Sequence, residues 1–254
     1  MRVNEWVRQA PLLGLLFARC GGMLVVIPPL NVRGFPVLLR LGIAAVLAVA
    51  LIPVADVADG LAALSPVAYL AMLVQEAALG LAAGLAGALI FWSFLIAGQL
   101  LDSVVGAGDA RARVGGRGPF AGLVYLLAAA AFVAADGHHW LLGALAGGLR
   151  ALPLGGGWSV AGLAGLLEAA GVMLWTGVAI AAPVLGAIYV AEMALAAFDR
   201  VAPGLGLAEA APAVRWTSGL LGLVVSAPLF AGVVVDQGLR AAEAIEAAFR
   251  LLSG

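Results

Sequence analysis

Lysine is absent: all thirteen Lys-or-Arg positions of this 254-residue sequence are arginine. With alanine and glycine so abundant, this reads as the coding bias of a GC-rich genome rather than as a functional signal. Charge of either sign is scarce, at 11% of residues, where a soluble globular domain carries about 25%. A soluble enzyme, a disordered tail and a nucleic-acid binder are excluded on that ground. The net charge of −1 leaves no global field to steer the chain toward DNA, RNA or anionic lipid. A single cysteine, Cys20, rules out an internal disulfide framework and a multi-thiolate metal site. The two histidines, His138 and His139, are adjacent. Neighbours on a helix point about 100° apart, so they cannot share a metal as an i, i+4 pair could. No HExxH, no Walker loop and no nucleophile elbow around a serine or cysteine is present. Strand-like alternation is missing too.

What remains is apolar. The apolar set makes up 64% of the chain, with a mean hydropathy of +1.13. That describes an integral membrane protein, or one that reaches its final place through a membrane. The length suits one domain or one helical bundle. Near the start, Glu5 stands between Arg2 and Arg8, Arg19 interrupts the apolar run, and Pro28-Pro29 ends it without a small-x-small cleavage site. The segment is therefore expected to be retained rather than removed as a signal peptide.

Uncharged runs cover Cys20–Val32, Leu41–Ala55, Ala77–Leu101, Gly118–Ala135, Ala169–Ala191 and Trp216–Val235. A helix needs about 20 apolar residues to cross the hydrocarbon core. The first two runs are short unless Arg19 and Arg40 sit at helix ends or inside a protein interior, so these are not ordinary lipid-facing spans. Leu70–Leu101 is long enough for one tilted helix or a broken pair. Asp102–Pro119, rich in glycine and carrying both charges, reads as a loop. His138–Leu149 is a shorter apolar stretch, and Pro183 predicts a kink in its run. The tail Asp236–Leu252 is amphipathic, with Leu239, Ala242, Ile245, Phe249 and Leu252 at helical spacing. Arg33 and Arg40, Arg111, Arg113 and Arg117, then Arg200 and Arg215 fall in alternate connections. The positive-inside rule would place these in the cytoplasm, but the excess over Arg2, Arg8, Arg150, Arg240 and Arg250 is small.

Gly80 and Gly84, Ala83 and Gly87, and Gly143 and Gly147 form small-xxx-small pairs, a spacing that lets helix backbones approach closely. Glu76, Glu168 and Glu192 lie in or beside apolar segments. Each reads either as a proton or ion site, or as a group at a helix end or subunit interface. Gly106-Ala107-Gly108-Asp109 fits the GxGD pattern of intramembrane aspartyl peptidases, which need a second carboxylate; Asp56 or Asp59 could supply it. A proton-coupled transporter is a further alternative.

Several segments, taken in order, resemble one family. Phe17-Ala18-Arg19, Ile27-Pro28-Pro29-Leu30, Arg33-Gly34-Phe35-Pro36 and Arg40-Leu41 look like the opening of the FliR/SctT family of export-gate membrane proteins. These belong to flagellar and virulence type III secretion systems. The resemblance continues through Glu76–Gly84, Ala97-Gly98-Gln99-Leu100-Leu101-Asp102, Asp136-Gly137-His138-His139-Trp140 and Leu149–Gly155. It resumes at Ala182-Pro183 and Glu192–Leu195. Where the family usually carries a Pro-Gln-x-Asn type signature, Pro203 is followed by Gly204, Leu205 and Gly206.

The resemblance implies an all-α, multi-helix membrane-type bundle of long, kinked helices and helical hairpins, and no enzyme or cofactor. Residues 1–158 would resemble a FliP-type partner and residues 159–254 a FliQ-type helical hairpin. The chain would join FliP-type and FliQ-type subunits and an FlhB-type switch protein in a helical assembly at the bacterial inner membrane. That assembly passes unfolded secreted proteins and binds no nucleic acid. The loop holding Gly106, Gly108, Asp109, Arg111, Arg113, Gly115, Gly116, Arg117 and Gly118 would plug the closed pore. Its glycines make it conformationally permissive, and its arginines could hydrogen-bond carbonyls or acidic groups in the closed state. An ordinary cytoplasmic loop is the other reading. Arg19, Arg33, Glu76, Gln99, Asp102 and Glu192 are expected at polar contacts between subunits.

Overall fold

The computed structural model describes residues 2–27, 36–55, 65–107, 117–156 and 163–252. They form seven α-helices and no β-strand among the described residues: α1 (Arg2–Val26), α2 (Val37–Leu51), α3 (Pro66–Val105), α4 (Pro119–Ala134), α5 (Gly137–Ala151), α6 (Leu163–Val201) and α7 (Ala211–Leu252). The all-α expectation holds. Among the described residues, four helical stretches are long and apolar enough to cross a membrane: Val37–Val54, Pro66–Val105, Gly171–Val201 and Leu207–Arg240.

Helix boundaries follow local chemistry. Ser65 caps α3, its hydroxyl accepting the Ala68 N–H at 3.3 Å. The run that could have been a broken pair is one helix of 40 residues. It continues past the expected start of the loop, so Asp102 lies in its last turn. It stops at Gly106, whose φ of 80° lets the Ala107 N–H return to the Asp102 carbonyl at 2.9 Å. This is the six-residue closure of a Schellman motif. Asp136, left-handed at φ 55°, separates α4 from α5, a conformation that aspartate tolerates better than most residues. The amphipathic tail is not a separate element, because α7 runs unbroken from the last apolar run to Leu252. Gly206, at φ 62°, sits in the turn between α6 and α7.

The chain divides into two compact units, each built from several stretches of sequence. The first comprises Met1–Leu89, Asp136–Ala170 and Gly238–Gly254. Leu15, Leu16, Met23, Ala44, Ala48 and Leu149 meet in its core. Cys20 lies there too, and burial pushes its thiol up to about 11, so it stays protonated at neutral pH.

A seam of small residues joins α1 to α3. A Cβ on Gly80 would overlap the backbone of Arg19, one on Gly84 that of Met23, and one on Gly22 that of Ala77. The two helices thus touch backbone to backbone, as the Gly80/Gly84 spacing predicts. Gly87 faces the Leu141 side chain. Gly143 faces open space, so the spacing of Gly143 and Gly147 does not mark a seam at Gly143.

The second unit comprises Ile90–Ala135 and Gly171–Gln237. Aromatic rings fill it: Phe91 meets Phe132 edge-on at 5.1 Å and Phe94 meets Phe230 at 6.0 Å. Phe120 lies 5.4 Å from Trp216. Gly98 lets α3 come against the Ala121 backbone of α4. Gly219 and Gly222 of α7 face Ile188 and Val184 of α6, so these two helices pack closely there.

Burial is uneven. In the apolar window of α3, 61% is buried, against 17% in α2, 22% in α6 and 28% in α7. Leu38, Trp175 and Val225 are among the exposed apolar side chains of the last three.

Candidate functional site

Polar side chains inside so apolar a chain are costly unless paired, and three sets of them carry the site.

In the first unit, Arg19 of α1 and Glu76 of α3 are buried, at 1% and 0% exposure, and joined by an Nε–Oε2 ion pair of 2.5 Å. Arg19 Nη1 also donates to the Leu152 carbonyl at 3.1 Å. The other oxygen of Glu76 accepts the Gly155 N–H at 2.9 Å. Next to it, Gln75 Nε2 donates to the Gly156 carbonyl at 2.5 Å. The network therefore locks the segment after α5 onto α1 and α3. Gly155 suits this position because its φ is 77°, a conformation that L side chains rarely adopt.

The second set lies where α3 ends and α4 begins. Helix α4 starts with Pro119 and has no capping side chain of its own at Gly118. The N–H groups that open a helix need acceptors. Asp102 of α3 supplies them: Oδ1 accepts from Phe120 N at 2.9 Å and Oδ2 from Ala121 N at 3.0 Å. The carboxylate is 4% exposed, and its charge suits the positive end of the helix dipole. Arg117 places its guanidinium over the Tyr125 ring, 4.4 Å from the centroid.

The third set is the ion pair of Glu192 on α6 with Arg215 on α7. Its side chains are 24% and 38% exposed, so solvent screens it. Glu192→Ala is expected to lower thermal stability in detergent by no more than about 1 kcal/mol. A larger loss would mean that the pair is shielded more deeply than its exposure indicates.

Of the residues expected at subunit contacts, Arg19, Glu76, Asp102 and Glu192 make these polar contacts within the chain. Gln99 is exposed. Arg33 lies outside the described residues, as do Gly108, Asp109, Arg111, Arg113, Gly115 and Gly116 of the loop; Gly106, Arg117 and Gly118 stand at its edges. Asp56 and Asp59, the partners considered for a GxGD pair, are also outside. His138 and His139 come together with Asp136, their ligand-type atoms lying within 4.8 Å, although all three are exposed. The two rings lie 4.2 Å apart, so the expectation that these neighbours point too far apart to share a ligand site does not hold.

The sequence alone pairs neither Glu76 nor Asp102, because their partners sit on other elements. Arg19 is 57 positions from Glu76, and Phe120 is 18 from Asp102. The available signals were a lone Arg in an apolar run and a Gly-Pro helix start without its own cap.

The sequence profile of the bacterial export proteins, family 1, matches residues 10–240. The chain belongs to that family. For a member of the bacterial export proteins, family 1, the matched stretch takes in the apolar segments of every helix and all three polar sets. A flagellar biosynthetic protein FliR from Pectobacterium carotovorum subsp. carotovorum is 27% identical over 163 residues. That match spans 62% of this chain and 62% of the relative's length.

Proposed function

We propose that the chain is a subunit of the gate of a type III protein export apparatus, in the branch of its flagellar relative. There it would help to pass unfolded proteins across the bacterial inner membrane at the basal body. The observation that carries this reading is the family match over residues 10–240.

The geometry supports it. Helices α3, α6 and α7 have 40, 39 and 42 residues, or about 60 Å each, roughly twice the hydrocarbon core. The carboxylates of α3, Glu76 and Asp102, are buried and paired, while α2, α6 and α7 keep apolar side chains open. Such faces suit FliP-type and FliQ-type subunits and an FlhB-type switch protein, with lipid around them. Residues 1–158 would play the FliP-like part and 159–254 the FliQ-like hairpin. Polar contacts with those subunits would draw on Gln99, Arg33 and the partly exposed Glu192. The loop from Gly106 to Gly118 would plug the pore, and the energy for transport would come from elsewhere in the machine, so no catalytic step is assigned to this chain.

The test is native mass spectrometry of tagged chain purified from membranes that co-express FliP- and FliQ-type partners of the same organism. One defined complex containing all three is expected. Recovery of this chain alone, folded and monodisperse, would overturn the reading.

A further inference from the structure

We propose that Asp136, His138 and His139, at the start of α5, form a binding site for one divalent transition-metal ion of the zinc class.

Local structure turns these three near neighbours to one place. Asp136 takes the left-handed conformation, at φ 55°, and its carbonyl accepts the His139 N–H at 2.8 Å. The chain thus curls into a tight first turn. Asp136 stands at the N-cap position of α5, where an aspartate ordinarily accepts an amide hydrogen of the helix. Its side chain makes no such capping bond. The carboxylate lies beside the His139 ring instead, with Oδ1 3.7 Å from Nδ1. That separation is too long for a hydrogen bond. The His138 ring completes the group, its centroid 4.2 Å from that of His139 and its plane tilted by 37°.

Neighbouring packing holds the turn. Trp140 seats so closely on α7 that a Cβ at Gly238 would fall on its ring. Gly137 is buried. With these two residues packed against the protein, Asp136, His138 and His139 are presented to the outside.

The donor set selects the ion. Two imidazoles and one carboxylate suit zinc, nickel or copper, whereas magnesium and calcium prefer oxygen ligands alone. The three ligand atoms lie within 4.8 Å of one another. Bonds of about 2.0–2.1 Å in a tetrahedral site set such atoms about 3.3 Å apart, so the group contracts by up to about 1.5 Å on binding. Exposed side chains make such a shift by small rotations within their rotamers. Three protein ligands leave the fourth position to water or to a group from another subunit. The positive end of the helix dipole opposes a cation. The Asp136 charge offsets that, so the site needs the carboxylate as well as the rings.

The experiment uses the full chain with an affinity tag free of histidine, purified in detergent and stripped with EDTA. Zinc chloride is titrated in by calorimetry, and the bound metal is counted by elemental mass spectrometry. One zinc ion per chain is expected, and magnesium should not displace it. His138→Ala and His139→Ala should each weaken binding by about tenfold or more, since even the outer partners of a metal ligand are worth about 10–100-fold. Asp136→Gly removes the carboxylate but keeps a residue that adopts positive φ, and it should weaken binding by about tenfold. Because all three side chains are exposed, the variants should elute with the wild type in size exclusion; should one aggregate, the other two decide. Wild-type chain without saturable zinc binding would overturn the proposal. So would binding that either histidine variant leaves unchanged, which would put the ion elsewhere. Equal competition by magnesium would also overturn it, by reducing the site to a patch of charge.

Discussion

Replacing Glu76 by alanine is expected to remove most of the folded chain from detergent extracts. The carboxylate is fully buried and Arg19 is 1% exposed, so the deletion leaves a guanidinium in the interior with its main counter-charge gone. Breaking one side of a buried pair costs about 3–5 kcal/mol, against a total stability of about 5–15 kcal/mol for a typical domain. The Gly155 N–H loses its acceptor as well, which releases the segment after α5. Fluorescence-detected size exclusion should show aggregate in place of the wild-type peak. Arg19→Met combined with Glu76→Leu should recover much of that peak, because an apolar pair of similar volume has no charge to strand. A single Glu76→Ala variant melting with the wild type would remove the network from the account of stability.

Gly80→Leu should be nearly as damaging, for a geometric reason. A Cβ at this position overlaps the Arg19 backbone, and backbone cannot swing aside as a side-chain tip can. Overpacking typically costs about 1–3 kcal/mol and sometimes more, and here the damage spreads. Gly80 is one helical turn beyond Glu76, so pushing α1 away from α3 also draws Arg19 off its partner. The losses at Gly80 and Glu76 should therefore be less than additive in a double-mutant cycle. Gly143→Ala is the control. Nothing stands within 4 Å of its added Cβ, and replacing a helical glycine by alanine should stabilise by up to about 1 kcal/mol. Equal melting temperatures for Gly80→Leu and wild type would show that the seam is looser than its geometry.

Much of the architecture was legible in the order of residues. Apolar runs marked the long helices, and Gly80 with Gly84 announced a close helix approach, while both ends of α3 lie beyond the expected Leu70–Leu101. Gly143 and Gly147 carry the same spacing without the same packing at Gly143, since spacing describes one helix and packing needs two. The partner glycine on α1, Gly22, lies four residues after Ala18, which lies four after Gly14, so the small-residue spacing stands on both sides of the seam. The polar sets were half legible. Glu76 and Glu192 stand out as charges in or beside apolar segments, which signals a partner without naming it, whereas Asp102 reads as the start of a loop. The partner of each comes from another helix, and helical periodicity holds no information about that. The join of the last apolar run with the amphipathic tail was hidden for a related reason. Composition changes there while the backbone does not.

The unequal burial of the helices bears on how a cell must handle this chain. Most proteins place grease inside and charge outside; here Leu38, Trp175 and Val225 face outward while Arg19 and Glu76 are sealed within. An orphan copy outside the membrane would have no soluble refuge, because its open faces would coalesce with those of the next copy. Surplus synthesis would thus be a burden for proteases and chaperones rather than a reserve, and production matched to that of whatever covers those faces is the economical arrangement.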